Sequence, residues 1–121
     1  VKSGLEKTRA KVFRRVAVLR KGRPMPDMMD HEIILADDGL ASGFTMQVAV
    51  DAISRVGARK VIVAVPTGHE TSVQRLAEKV DMFCCPNIRS GHSFAVASAY
   101  RHWSDVSEVE AEKILLEFTA S

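Results

Sequence analysis

Apolar positions recur with helical spacing in four segments of the chain and run together in three short ones. Leu5, Val12, Val16 and Leu19 share one side of a helix predicted over residues 3–20, with Lys7, Lys11, Arg14 and Arg15 mostly elsewhere. Gly22 and Pro24 end it, and Pro24 with Pro26 keeps the following stretch a loop. Ile33-Ile34-Leu35-Ala36 is long enough for one buried strand. After Thr45 the period changes: Met46, Ala49, Val50 and Ile53 lie on one helix face, with Gly57 near the C′ position as its stop. Lys60–Val65 (KVIVAV) reads as a strand buried on both faces, ended by Pro66. Thr67 as N-cap and Glu70 three residues later fit a capping box ahead of a stripe at Val73, Leu76, Ala77 and Val80. Asp81–Pro86 supplies another short strand, and Asn87–Ala99 has the composition of a loop anchored by Phe94 and Val96. Ser107 and Glu110 form a second capping box, opening a last helix with its stripe at Ala111, Ile114, Leu115 and Phe118. The βαβαβ alternation with short connections predicts an α/β fold with a parallel, right-handed sheet.

The polar chemistry concentrates where the first strand meets its helix. Asp37 and Asp38 follow the strand directly, then Gly39 and the small-residue turn Ala41-Ser42-Gly43. Open α/β sheets hold ligands at this carboxyl end. Backbone N–H groups from Ala41 to Thr45 have no intrahelical partners, and the helix dipole favours an anion beside them. Gly39 and Gly43 permit the dihedrals and the close approach a phosphate needs, while Ser42 and Thr45 add hydroxyl donors. A phosphate there leaves the two carboxylates a sugar's length away, where they can accept hydrogen bonds from vicinal ribose hydroxyls. An ordinary βα turn is the alternative, but adjacent aspartates at the end of a buried strand are costly unless something uses them. Gly39 and Gly43 lack the spacing of a dinucleotide fingerprint, and a receiver-type acidic pocket would need an acid where Cys84-Cys85-Pro86 stands.

DDGLASGFTM resembles the phosphoribosyl-pyrophosphate (PRPP) motif of type I phosphoribosyltransferases, in which a hydrophobic strand leads into two acids and a loop of the form G-x-A-T-G-x-T. Two positions depart from it: Ser42 stands where threonine is usual, and Phe44 where a small residue is. The resemblance extends more weakly through VIVAVP and YRHWSDVSEVE to about Leu116, and looks closest to a bacterial and archaeal group whose acceptor base is unassigned. It implies a three-layer, Rossmann-like α/β fold, a parallel sheet with flanking helices. It also implies transfer of ribose 5-phosphate from PRPP to a nitrogenous base or other amine, with release of pyrophosphate. Asp37 and Asp38 would be the catalytic acids, and Gly39, Ala41, Ser42, Gly43, Phe44 and Thr45 the phosphate loop. A mobile upstream loop folds over pyrophosphate in this family, which nominates Arg20, Lys21 and Arg23; Tyr100 and Trp103 are the base-stacking candidates. Mg²⁺ is expected to arrive with PRPP near Asp37 and Asp38 rather than in a protein-held site. The family's usual sheet has an earlier half, so the chain is expected to lack the N-terminal part of that fold and to pair as a homo-oligomer, a dimer. The other reading is a PRPP- or nucleotide-binding module, or an inactive half-domain of a larger assembly, without turnover.

With 121 residues and 46% hydrophobic content the chain reads as one domain, a basic N-terminal helix and loop at 1–31 followed by an α/β core at 32–121. The net charge of +2 conceals an asymmetry, since residues 1–31 carry nine Lys/Arg against three Asp/Glu and the remainder eight against twelve. That basic segment suits a polyanionic small molecule, and equally a solvated helix face. It lacks the interleaved aromatics of a nucleic-acid binder, and no apolar run approaches the ~18 residues of a membrane span, so neither partner is expected. Cys84 and Cys85 make no disulfide framework, which points to a reducing cytoplasm and to core positions on a short strand. His31, His69, His92 and His102 show no paired ligand spacing for zinc.

Overall fold

The computed structural model describes residues 2–120, in two compact units. Asp27–Trp103 form one; the segments up to Pro26 and from Ser104 form the other. The second unit consists of helix α1 (Lys2–Arg20) against the last helix, with Arg14 paired to Glu108 at 2.9 Å and Lys21 to Glu112 at 2.5 Å. Ser107 caps that last helix by accepting from the Glu110 amide. Most of the apolar stripe expected on α1 is exposed, including Leu5 and Val12.

The α/β unit runs β1 (Glu32–Ala36), α2 (Phe44–Arg55), β2 (Lys60–Ala64), β3 (Thr67–His69), α3 (Glu70–Ala77), β4 (Met82–Cys84) and β5 (Asn87–Arg89); helix α4 (Glu108–Ala120) closes the chain. Strands β1, β2 and β4 form a parallel sheet with β2 in the middle, in the register Ile33↔Val61, Leu35↔Val63 and Val63↔Phe83. The α/β class with a parallel sheet and flanking helices is therefore as expected. The β-branched run of β2 fits a pleated, half-covered surface: Val61 and Val63 are buried, while Ile62 and Ala64, facing the other way, are half-buried. Met46, Val50 and Ile53 of α2 and Val73 and Leu76 of α3 join them in one core, as their helical spacing predicts.

Several local expectations are corrected. Strand β1 is covered on one face only: Ile33 and Leu35 pack against the core that α2 and α3 form with Val61 and Val63, while Ile34, facing the other way, is 65% exposed. Thr67 is a strand residue, not an N-cap, because Thr67–His69 pairs in parallel with Asn87–Arg89, itself expected as loop. The cap of α3 is His69, whose ring accepts from the Thr71 amide. Helix α3 stops at Ala77, leaving Val80 in the turn beyond, half-buried against the core. Of the adjacent cysteines only Cys85 reaches the core; Cys84 ends edge strand β4 and is exposed. No helix among the described residues is long and apolar enough to cross a membrane.

Candidate functional site

Three connections hold the segment between β1 and α2. Leu40, 2% exposed, donates its amide to the Thr67 carbonyl at 3.0 Å and accepts the His69 amide at 2.8 Å, so the chain is laced to β3 midway between the acids and the loop. Gly39 lies so close to Val96 that an added Cβ would stand 2.5 Å from one of its methyls. Gly43, the N-cap of α2, has φ +78°, a left-handed conformation that side chains resist. The roles assigned to Gly39 and Gly43 thus divide: close packing at the first, backbone conformation at the second.

Past Leu40 the backbone leaves its donors unengaged. Among the described residues the amides of Ala41, Ser42, Gly43 and Thr45 have no hydrogen-bond acceptor; that of Phe44 makes only a long contact, 3.4 Å, with the Ser42 hydroxyl. The carbonyls are engaged from the other side. Ser72 Oγ of α3 donates to Ala41 and Arg75 Nη2 to Ser42, while the Arg75 guanidinium lies 5.4 Å from the centre of the Phe44 ring. Asp37, Gly39, Ala41, Ser42, Gly43 and Thr45 line a cavity of about 180 Å³. A second, open cavity of about 320 Å³ shares Ala41 and Ser42 with it and is lined as well by His69, Gly91, His92 and Phe94.

Asp37 and Asp38 are both exposed, and Asp37 Oδ1 accepts the Asp38 amide at 2.8 Å. Partial burial, and then the negative Asp37 beside it, hold the Asp38 carboxyl above the usual aspartate range, against a smaller opposing backbone hydrogen bond. His69 spans the second cavity's wall: Nδ1 accepts from Thr71, so the proton sits on Nε2 and is donated to the Gly91 carbonyl at 2.8 Å. Phe94 meets the His69 ring edge-on, with centroids 5.9 Å apart.

The site nominated from sequence is brought together in part. Asp37 and five loop residues share one cavity; Asp38 adjoins it, and Phe44 turns its ring toward Arg75. Tyr100 donates its hydroxyl proton to the Asp38 carbonyl and packs edge-on against Trp103, and neither ring lines the two cavities. Arg20, Lys21 and Arg23 belong to the helical unit and have partners there. Arg23 caps the Leu19 and Arg20 carbonyls, Lys21 pairs with Glu112, and Arg20 reaches the Met25 sulfur at 3.0 Å. Sequence reasoning took Phe94 only as a loop anchor and missed Ser72 and Arg75, which carry no local signal because they act on residues over thirty positions away.

The sequence pattern described as "Phosphoribosyl transferase domain" matches residues 3–100. Two curated proteins from two strains of Mycobacterium tuberculosis, named as candidate phosphoribosyl transferases, are each 32% identical over 102 residues, 84% of this chain. The crystal structure of TT1426 from Thermus thermophilus superposes with a TM-score of 0.77 at 31% identity over 96% of this chain. The chain spans 23% of the length of those curated relatives and 57% of that solved chain.

Proposed function

The chain belongs to the phosphoribosyl transferase domain family, and from that premise we propose that it binds PRPP at the β1–α2 turn and transfers ribose 5-phosphate to a nitrogen nucleophile, releasing pyrophosphate. The observation that carries this reading is the set of uncommitted amides at Ala41–Gly43 and Thr45 on the same small cavity as the Asp37 carboxylate. An anion satisfies the first and a polyol the second, and a sugar phosphate offers both at once.

In this reading the loop amides with the Ser42 and Thr45 hydroxyls hold the 5-phosphate, so that binding energy far from the reacting carbon orients it. Asp37 and Asp38 accept from the ribose hydroxyls and favour the positive charge that the ring develops as pyrophosphate departs. The acceptor takes the neighbouring cavity, where the Phe94, His69 and His92 side chains in its lining suit a flat heterocycle.

The donor set fits Mg²⁺ arriving with its substrate. No cluster of three ligating side chains exists among the described residues, whereas the two adjacent carboxylates of Asp37 and Asp38 suit a cation held mainly by phosphate oxygens. When bound, Mg²⁺ would supply charge neutralisation of the pyrophosphate, with Asp37 and Asp38 as its protein ligands.

Incubation with Mg-PRPP and a panel of nitrogenous bases tests the proposal. Pyrophosphate release that depends on one base or base class is the expected result. Saturable PRPP binding with no release from any base would leave a binding module in its place.

A further inference from the structure

Ser72 and Arg75 reach the loop from behind, and their position has a consequence for its donors. We propose that these two residues are positioning residues that orient the phosphate loop, by holding the Ala41 and Ser42 carbonyls on the α3 side and so turning the Ser42 and Gly43 amides to the cavity. The inference rests on the reading that this loop receives a phosphate.

No peptide bond in the described chain is cis, so each carbonyl points opposite to the N–H that shares its plane. The Ala41 carbonyl shares its plane with the Ser42 amide, and the Ser42 carbonyl with that of Gly43. Ser72 Oγ holds the first carbonyl and Arg75 Nη2 the second. Both amides therefore turn away from α3, and both are without a protein acceptor among the described residues.

Two donors three residues apart on one helix face make a rigid clamp, because the same helix anchors Val73 and Leu76 in the core. The close fit extends to Gly43, where an added Cβ would stand 2.9 Å from Arg75 Nη2. It also accounts for Phe44, the residue that departs most from the family pattern: its ring lies under the guanidinium and helps keep it against the loop. Arg75 Nε is buried with no partner, so the side chain holds this pose at the expense of one of its own donors. A cationic donor on the Ser42 carbonyl further polarises that peptide, which makes the Gly43 N–H a stronger donor to an anion.

Residual dipolar couplings of isotope-labelled protein report N–H orientation directly, and titration with ribose 5-phosphate reports its use. Ser72→Ala is expected to shift the coupling at Ser42, and Arg75→Met and Arg75→Gln that at Gly43, with the β2 couplings unchanged. Each is expected to weaken ribose 5-phosphate binding about tenfold, the loss of roughly one charge-assisted or buried hydrogen bond, and Arg75→Lys to recover part of it. Unchanged couplings, or altered couplings with undiminished affinity, would overturn the clamp while leaving the phosphate site standing. Wild-type protein that binds no ribose 5-phosphate would remove the site itself, and the clamp's purpose with it.

Discussion

The phenol of Tyr100 donates to the main-chain carbonyl of Asp38, joining residues 62 positions apart at the turn that carries both acids. With Val96 packed on Gly39, this contact makes the segment after β5 a brace for the acidic turn. Tyr100→Phe keeps the ring against Trp103 and removes only the hydrogen bond. The expected cost is about 1 kcal/mol in urea unfolding, together with weaker PRPP binding. Unchanged stability and affinity would make the contact incidental.

Gly39→Ala introduces a methyl group where Val96 stands 2.5 and 2.7 Å from the new atom and Thr67 3.1 Å. The Val96 methyls are short and branched and cannot swing aside. Overpacking of about 1–3 kcal/mol is expected, and Val96→Ala in the same chain should recover most of it. Equal losses in the single and double variants would place the strain elsewhere.

How far the chain discloses itself depends on whether a feature is local. The β1–turn–α2 unit is legible because apolar period, acidic pair and glycine turn are all encoded within fifteen residues, Glu32–Met46. Strands β3 and β5 are not. Thr-Gly-His and Asn-Ile-Arg show no alternation, and each is a strand only because the other lies beside it, twenty residues away. The same nonlocality hid Ser72 and Arg75, and it made Thr67 resemble a cap when its side chain in fact donates to Asn87 at 2.9 Å. Tyr100 is legible as an aromatic, but the bond from its hydroxyl to the Asp38 carbonyl is not, because that partner lies 62 positions away.

Stability should depend on pH through Asp38. Its carboxyl is held above the aspartate range in the folded protein, so between about pH 3.9, the unfolded value, and that raised value the folded state carries more protons. Stability from this group therefore falls as pH rises through the window and stays low at neutral pH. Asp38→Asn should flatten the slope in denaturant unfolding measured across the acid range, and weaken sugar binding as it does so. A slope preserved in the variant would assign the effect to another group.

The adjacent thiols should react unequally. Cys84 is exposed, while burial pushes the Cys85 thiol up and leaves less thiolate to react. Iodoacetamide at neutral pH is expected to label Cys84 first, with Cys85 catching up only as pH rises. Mass mapping that finds equal early labelling would contradict the burial of Cys85.

The decisive measurement is calorimetric titration of Mg-PRPP into the wild-type chain and into Asp37→Asn with Asp38→Asn. The wild type should bind one equivalent, and the folded double variant should lose most of that affinity while still binding inorganic phosphate at the loop. PRPP binding of equal strength in both proteins, or none in the wild type, would contradict a sugar-phosphate site built on the two acids and the amides beside them.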